Sequence, residues 1–186
     1  MTTPGELEVH TIGVAIPLPE PYAEELQGWR RDVGDPLACA IPSHITLLPP
    51  TDVASDDLVV VDKHLTAVAA ASEPFHVHLR GTATFRPVSP VVFVALSQGI
   101  SACEQLSKAV RTGPLPAELS FPYHPHVTIA HHLPDEAMDR AFVGLADFDA
   151  GFDVTAFSLY EHGLDEVWRP QRSFALGSGE AQTRSA

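Results

Sequence analysis

Apolar residues recur along the chain at two spacings, every second residue or every third to fourth residue, and these spacings predict strands and helices. Strands are predicted where β-branched and aromatic residues are concentrated. The predicted strands are His10–Pro17, Ser43–Leu48, Phe75–Phe85, Pro90–Leu96, His126–His132, Val154–Tyr160 and Val167–Leu176. The predicted helices are Tyr22–Val33, Ser55–Ala71, Ile100–Arg111 and Asp135–Leu145. This mixture of elements indicates an α+β protein.

Individual residues are expected to set the ends and the buried faces of these elements. Pro49 and Pro50 should end the second strand, because proline cannot donate a hydrogen bond to a neighbouring strand. Ser55 is a candidate N-cap for the second helix. Gly34 should end the first helix, and Trp29 lies on the apolar stripe of that helix, where we expect it in the core.

The order strand, helix, proline-containing loop, strand occurs twice in the chain. A shift of 80 residues places Pro36 on Pro116, and two additional residues in the second copy then place His44 on His126. Because the two copies share few identical residues, a chance alignment is the alternative explanation. The repeat predicts a bilobal, duplicated fold in which antiparallel sheets form a central cleft and helices cover the outer faces.

Length and composition indicate one folded domain. The chain has 186 residues, of which 45% are hydrophobic and 19% charged, and such values exclude a disordered chain. We expect residues 1–177 to form a single bilobal domain and the small, polar residues 178–186 to form a flexible tail. No apolar run approaches the roughly 18 residues of a membrane span. The first eight residues do not resemble a secretory signal, and two cysteines fit a reducing compartment, so we expect a cytoplasmic protein.

The charge balance limits the class of partner. Lys and Arg number 11 and Asp and Glu number 24, which gives a formal net charge of −13. A protein that follows a long nucleic-acid duplex needs a basic face, so that class is disfavoured, as is a membrane partner. A small nucleotide or an RNA end bound in a local pocket remains compatible with this charge. The sequence leaves the oligomeric state open.

Both copies of the repeat carry the motif His-apolar-Thr-apolar, at His44–Leu47 and His126–Ile129. Because side chains alternate along a strand, the histidine and the threonine point to one face and the apolar residues to the other. Two such strands side by side would place two imidazoles and two hydroxyls around one small space. One imidazole can take a proton from a nucleophile while the other gives a proton to a leaving oxygen. The hydroxyls of Thr46 and Thr128 can donate hydrogen bonds to phosphate oxygens.

A third His-x-Thr sequence begins at His64, inside a predicted helix. Residues two apart on a helix do not share a face, so we interpret this copy as a coincidence. His44 and His126 are therefore the predicted catalytic residues, and Thr46 and Thr128 the predicted phosphate-binding residues. The alternative is that both motifs are ordinary edge-strand sequences without a catalytic role.

The chain resembles the two-histidine phosphoesterases of the 2′-5′ RNA ligase-like superfamily. The resemblance extends from about Val9 to Gly177 and is carried by HITLLPP at His44–Pro50, PHVTIA at Pro125–Ala130, and the ending FSLYEHGLDEVWRPQRSFALG. It implies a duplicated α+β fold with one motif in each lobe. It also implies hydrolysis or formation of RNA 2′-5′ linkages, or opening of 2′,3′-cyclic phosphates, without a metal. By this resemblance His44, Thr46, His126 and Thr128 take the catalytic roles.

One position departs from the pattern of the family. Ligase-type members often carry arginine five residues after the second histidine, where this chain has His131. A histidine is charged over only part of the pH range, so phosphate binding is expected to be weaker or pH-dependent. This departure bears on ligase activity more than on the reaction class.

Four further residues are candidates for substrate binding. Tyr123 and Trp168 could stack on a base, and Arg169 could pair with a phosphate. His131 is the fourth candidate, although strand alternation predicts that it lies on the face opposite His126. Packing or surface roles are the alternative for each of these residues.

We interpret the chain as a metal-independent phosphoesterase acting on 2′,3′-cyclic phosphates or 2′-5′ linkages of RNA ends or small nucleotides. A non-catalytic nucleotide-binding module with the same cleft is the alternative. A zinc hydrolase would use His124, His126, His131 and His132. No His-x-x-x-His pattern or nearby cysteine set accompanies these histidines, so we expect neither a metal nor another cofactor.

Overall fold

The computed structural model describes residues 8–177. Within these residues it contains two four-stranded antiparallel sheets and four α-helices. The elements are β1 (Val9–Pro17), α1 (Tyr22–Asp32), β2 (His44–Ala54), α2 (Leu58–Ala70), β3 (Phe75–Thr84), β4 (Val91–Gln98), α3 (Ile100–Val110), β5 (His126–His131), α4 (Asp135–Gly144), β6 (Asp149–Val154), β7 (Ala156–His162) and β8 (Trp168–Ala175). Within residues 8–177, no helix has both the length and the apolar character needed to cross a membrane. The predicted tail at 178–186 lies outside the described residues.

The strand order reveals the predicted duplication. Sheet A has the order β2-β1-β7-β8 and sheet B the order β5-β4-β3-β6. The units β1-α1-β2 and β4-α3-β5 place their second strands, β2 and β5, at corresponding edges of the two sheets, and these two edges contact each other. β3 pairs with β4 of the second unit, and β7 pairs with β1 of the first. The α+β class and the two antiparallel sheets predicted from the repeat are therefore confirmed.

Amphipathic helices bury one face against the sheets. Leu26 of α1, Leu65 of α2 and Leu106 of α3 are at most 3% exposed and belong to one continuous core. Burying such side chains stabilises the fold by roughly 1.5–3 kcal/mol each. Trp29 was predicted to lie in the core, but its indole is only partly buried. It lies at the edge of the core and covers Gly144, where an added Cβ would overlap the ring.

The predicted end of β2 is wrong. The strand runs through Pro49 and Pro50 to Ala54. The prolines are tolerated because β2 is an edge strand, and because its pairing with β1 is irregular opposite Gly13. Proline has no backbone N–H, but at a sheet edge or at a bulge no carbonyl of a neighbouring strand needs that hydrogen bond.

Two further predictions are corrected by the structure. Ser55 does not cap α2, which begins at Leu58 after a short 3₁₀ turn. The Ser55 hydroxyl instead contacts His10 Nε2 at 2.9 Å and the Glu8 carbonyl oxygen at 3.1 Å. The sequence analysis also missed β6, because DAGFDV contains residues that are rare in strands. β6 forms by pairing with β3 at the edge of sheet B.

Candidate active site

The two motifs lie on β2 and β5 as strand alternation predicts. His44 and Thr46 are half-buried on the cleft face of β2, and the apolar residues that follow each of them are fully buried. β5 repeats this pattern, with His126 and Thr128 half-buried and their apolar neighbours fully buried. Each motif therefore uses one face for the core and the other for the cleft.

A bulge follows each motif at the same place. Pairing with the neighbouring strand slips at Leu47 in β2 and at Ile129 in β5, three residues after each histidine. A bulge moves the residues beyond it to the opposite face of the strand. His131 therefore lies on the cleft side with Thr128, and both line the same cavity as His44. The predicted orientation of His131, opposite to the motif, is wrong because alternation was assumed to be unbroken.

The two histidine rings are held in the same way. His44 Nδ1 lies 2.7 Å from the Pro42 carbonyl oxygen, and His126 Nδ1 lies 2.7 Å from the His124 carbonyl oxygen. Because a carbonyl only accepts, these contacts assign the proton of each neutral ring to Nδ1. Nε2 of each ring can then accept a proton. The Nε2 of His44 accepts from the Thr46 hydroxyl at 3.1 Å.

The motifs share their surroundings across the two sheets. His44 and Thr128 line one cavity of about 150 Å³, and Thr46 and His126 line another of about 260 Å³. Each cavity thus takes the histidine of one motif and the threonine of the other. Residues 84 and 80 positions apart in the sequence are brought together by the contact between the edges of β2 and β5.

Burial keeps both imidazoles neutral near pH 7. It lowers the pKa of His44 to about 4, opposed by the Pro42 carbonyl and assisted by the positive charge of Arg30 and by His126. Burial likewise lowers the pKa of His126, although the His124 carbonyl raises it. Two neutral imidazoles provide a base, while an acid requires one of them to be protonated. A bound phosphate favours that protonation because its negative charge stabilises an imidazolium.

A buried ionic network supports the loop that leads into His44. Arg30 of α1 is 4% exposed and Asp35 is 7% exposed, and Arg30 Nε donates to Asp35 Oδ2 at 2.8 Å. Arg30 Nη1 also donates to the Ile41 carbonyl at 2.6 Å. Gln27 Oε1 accepts from the backbone N–H of Ser43 at 2.9 Å. The backbone on either side of Pro42 is therefore tied to α1.

Arg30, which lines the small cavity with His44 and Thr128, was not predicted from the sequence. Its place on the helix carried no sign of this role, because a basic residue in the last turn of a helix is common on exposed surfaces. The only sequence signal was Asp35, five residues later and next to Pro36. Only the folded loop shows that the Arg30 guanidinium pairs with the carboxylate of Asp35.

A larger cavity, with a volume of about 580 Å³, opens from His44 over sheet A. We call it the sheet-A arm. Besides His44 and Thr46, its lining includes Gly13, Tyr160, His162, Glu166 and Trp168. Of the last five, only Trp168 was predicted from the sequence, because these residues are distant along the chain from both motifs and share no pattern with them.

Of the other three predicted substrate-binding residues, Tyr123 and Trp168 line cavities that also contain motif residues, and Arg169 does not. Tyr123 lines the cavity of Thr46 and His126, and its hydroxyl donates to the Thr46 carbonyl at 2.7 Å. Burial raises the pKa of that hydroxyl, so it remains protonated as a donor. Trp168 lines the sheet-A arm. Arg169 lines none of these three cavities, and Asp165 holds both its terminal nitrogens at 2.8 and 2.6 Å.

The remaining histidines of the second motif region are spread over two places. The ring centroids of His124 and His126 are 6.4 Å apart, whereas those of His131 and His132 are 4.2 Å apart, with the two rings tilted by 44°. His132 has a left-handed backbone with φ 52° directly after β5. Among the residues that the structure describes, no three His, Cys, Asp or Glu side chains are grouped as metal ligands.

Comparison with known proteins identifies related sequences over most of the chain. The sequence model of the 2′-5′ RNA ligase superfamily matches residues 18–166. A Bacillus cytotoxicus protein named "Putative phosphoesterase" is 27% identical over 171 residues, covering 90% of this chain and 98% of that protein. An Oceanobacillus iheyensis protein with the same kind of name is 27% identical over 167 residues, covering 89% and 97%.

Solved structures share the fold. Escherichia coli LigT in its apo form gives a TM-score of 0.66 at 22% identity and covers 91% of this chain and 98% of LigT. The Thermus thermophilus protein TT0787 gives a TM-score of 0.56 at 21% identity, with 90% and 98% covered. The pair of antiparallel sheets is therefore common to these proteins and this chain.

Proposed function

The chain belongs to the 2′-5′ RNA ligase superfamily of two-histidine phosphoesterases, and from this premise we propose that it is a metal-independent phosphoesterase. Its substrates are 2′,3′-cyclic phosphates or 2′-5′ linkages of RNA ends or small nucleotides. The observation that carries the proposal is the mixed lining of the two small cavities, each with the histidine of one motif and the threonine of the other. In this proposal the phosphate binds where the motifs of β2 and β5 meet, which we call the motif junction. There it meets both imidazoles and both hydroxyls.

The proposed reaction needs one proton acceptor and one proton donor. For a cyclic phosphate, the neutral imidazole takes a proton from water as the water oxygen bonds to phosphorus. The bond from phosphorus to one ribose oxygen breaks, and the protonated imidazole supplies that oxygen with a proton. The Thr46 and Thr128 hydroxyls donate hydrogen bonds to the non-bridging oxygens, where charge accumulates. The near-equivalence of the two motifs leaves the assignment of acid and base to experiment.

Ligands of a related structure support a small nucleotide as substrate. Crystal structures of Escherichia coli LigT contain 3′-AMP, ATP or NADP+. At 22–23% identity this likeness concerns the fold, so the substrate class for this chain rests on its own cleft. The −13 net charge also favours a small substrate over a long duplex.

We expect His44→Ala and His126→Ala each to lower the turnover of nucleoside 2′,3′-cyclic phosphates by at least about 10²-fold, the usual effect of removing a general acid or base. The measurement is release of the phosphomonoester over a panel of cyclic phosphates. His64→Ala is the matched control, because it alters the third His-x-Thr sequence, which lies in α2 outside the cleft. Its activity should remain that of the unaltered protein.

The same assay separates the alternatives. A folded His44→Ala protein with full activity would contradict the proposal. Binding of cyclic phosphates without any turnover would indicate the non-catalytic module instead. Loss of activity with a chelator, restored by zinc, would indicate a metal-dependent hydrolase, whereas we expect the chelator to have no effect.

A further inference from the structure

Two aromatic side chains, Trp168 and His162, line the sheet-A arm next to the proposed phosphate site. The ring of Trp168 lies against Gly13, where an added Cβ would be 3.2 Å from Cζ3 of the indole. The His162 ring lies 4.9 Å from the indole, at an angle of 40°. The Trp168 backbone N–H donates to the Ala40 carbonyl at 2.8 Å, which fixes the start of β8 against the loop before β2. A surface held in this way is ordered before a ligand arrives, which reduces the entropy lost on binding.

The charge of the sheet-A arm is as informative as its shape. No lysine or arginine from residues 8–177 lines it, and the permanent charge in its lining is the carboxylate of Glu166. The two arginines of β8 are engaged elsewhere, Arg169 with Asp165 and Arg172 with Asp62. Proteins bind phosphate groups mainly with Arg, Lys or clustered backbone N–H groups. The arm therefore suits an uncharged group better than a second phosphate.

Building on the proposed phosphoesterase function, we propose that the sheet-A arm selects substrates with one phosphate and one uncharged aromatic ring and rejects substrates with a second phosphate. The occupant is a nucleoside whose base packs on Trp168 while its phosphate meets His44 and Thr46. Base stacking on an aromatic side chain contributes without any charge on the protein. A second phosphate in the arm would lose its hydration, gain no cation and lie near Glu166.

This selection distinguishes among the substrates of the proposed function. A nucleoside 2′,3′-cyclic monophosphate satisfies it, because its single phosphate occupies the motif junction. An oligonucleotide end or a nucleotide that also carries a 5′-phosphate brings further negative charge into the arm. We therefore expect small cyclic mononucleotides to be better substrates than RNA ends.

The two tryptophans of the chain allow a direct binding test. Trp29→Phe leaves Trp168 as the remaining tryptophan, since the chain has two. We expect a nucleoside 3′-monophosphate to change the Trp168 fluorescence to saturation. The matching 3′,5′-bisphosphate should bind at least about fivefold more weakly, because its second phosphate adds at least one like charge to an arm that contains Glu166. Trp168→Phe, which keeps Trp29, should show no ligand-dependent change. The ratio of the two affinities is also measured by calorimetry on the unaltered protein, which does not depend on either variant folding.

Reversing the charge at Glu166 tests whether electrostatic repulsion causes the rejection of a second phosphate. Glu166→Lys should move the affinity ratio toward the bisphosphate by about fivefold or more, because a cation then faces the second phosphate. Glu73→Lys makes the same change at an exposed loop position that lines none of the cavities, and it should leave the ratio unaltered.

The outcomes separate this inference from the proposed function. Tighter binding of the bisphosphate or of an RNA oligonucleotide than of the monophosphate overturns the inference, even if cyclic phosphates are turned over. Turnover without any response of Trp168 overturns it as well. A normal Trp168 response and affinity ratio without turnover of any cyclic phosphate supports the inference and counts against the proposed catalytic function.

Discussion

At the residue scale, the same backbone contact orients both imidazoles, as the proposed proton transfer requires. Each Nδ1 donates to the carbonyl two residues earlier, so that Nε2 is the nitrogen available in the cleft. Both rings are also half-buried beside apolar neighbours, and burial lowers the pKa of each. The pair is therefore set toward the doubly neutral state at pH 7, and the singly protonated state that the proposed mechanism needs becomes more populated as the pH falls.

The pH dependence of kcat/KM should reflect this setting. Because kcat/KM reports the free enzyme, and because the pKa of His44 is lowered to about 4 and that of His126 is also lowered from 6.5, we expect the maximum of a bell-shaped profile below pH 6.5. The rate should rise as the pH falls from about 7.5 and fall again once both rings are protonated. The measurement is kcat/KM for a nucleoside 2′,3′-cyclic phosphate over a pH series, with circular dichroism at each pH to confirm folding.

His64→Ala should give the same profile, since that ring hydrogen-bonds the Val110 carbonyl outside the cleft. A maximum at or above about pH 7.5 in both proteins would show that burial does not set the protonation of the pair. The two limbs belong to the coupled pair rather than to single residues.

At the element scale, bulges and buried polar contacts determine what β2 and β5 present. The slip at Leu47 leaves that residue out of the pairing with β1, and its carbonyl accepts from the buried Ser107 hydroxyl of α3 at 2.7 Å. The neighbouring Thr46 carbonyl accepts from Tyr123. Residues of the second unit thus satisfy the free edge of β2 in the first. This arrangement fixes the edge next to β5, where the motifs meet.

The Arg30–Asp35 pair should be important for both stability and activity. Asp35→Asn leaves a buried guanidinium without its carboxylate, and breaking a buried pair costs about 3–5 kcal/mol. We expect the free energy of unfolding in urea to fall by about 3 kcal/mol or more. Activity should fall as well, because the loop that Arg30 holds at Ile41 leads directly into His44.

Arg31 provides the matched control one residue away. It pairs with Glu24 on the exposed face of α1, and an exposed pair contributes at most about 1 kcal/mol. Arg31→Ala should therefore change stability by less than that amount. Equal effects of the two variants would show that the buried pair does not support the loop.

At the scale of the whole molecule, the strong negative charge acts on every phosphate that approaches. The net charge of −13 repels an anionic substrate over a distance comparable to the Debye length. In the proposed mechanism the compensation comes from the threonine hydroxyl donors and from an imidazole that gains its proton when the phosphate binds, rather than from a basic face. Association should therefore be slowed at low salt, which is opposite to the behaviour of nucleic-acid-binding proteins.

Salt should increase the activity on an anionic substrate. Between about 20 mM and about 200 mM monovalent salt we expect kcat/KM for a cyclic mononucleotide to rise by about twofold, because screening weakens the repulsion. The affinity of an uncharged nucleoside, measured by Trp168 fluorescence, should not change over the same range. A steep fall of kcat/KM with salt would instead reveal an attractive basic field at the cleft.

Local sequence determined most elements and the motif-bearing strands. The apolar spacing predicted the four α-helices described within residues 8–177 and most strands to within a few residues, and the repeat predicted two related units with His44 and His126 at equivalent positions. These predictions succeed because strand and helix periodicity depends on which face is buried, and that requirement is local. The same local rules failed for Pro49, Pro50 and β6, where an edge position and a neighbouring strand outweighed propensity.

The tertiary structure alone decided how the two units meet and what surrounds the motifs. His131 faces the cleft because of a one-residue slip at Ile129. Arg30 was placed beside His44, and Trp168 over Gly13, by contacts between segments distant in the chain. Such placements follow from strand pairing and packing across long sequence separations, and no short stretch of residues carries the information that specifies them.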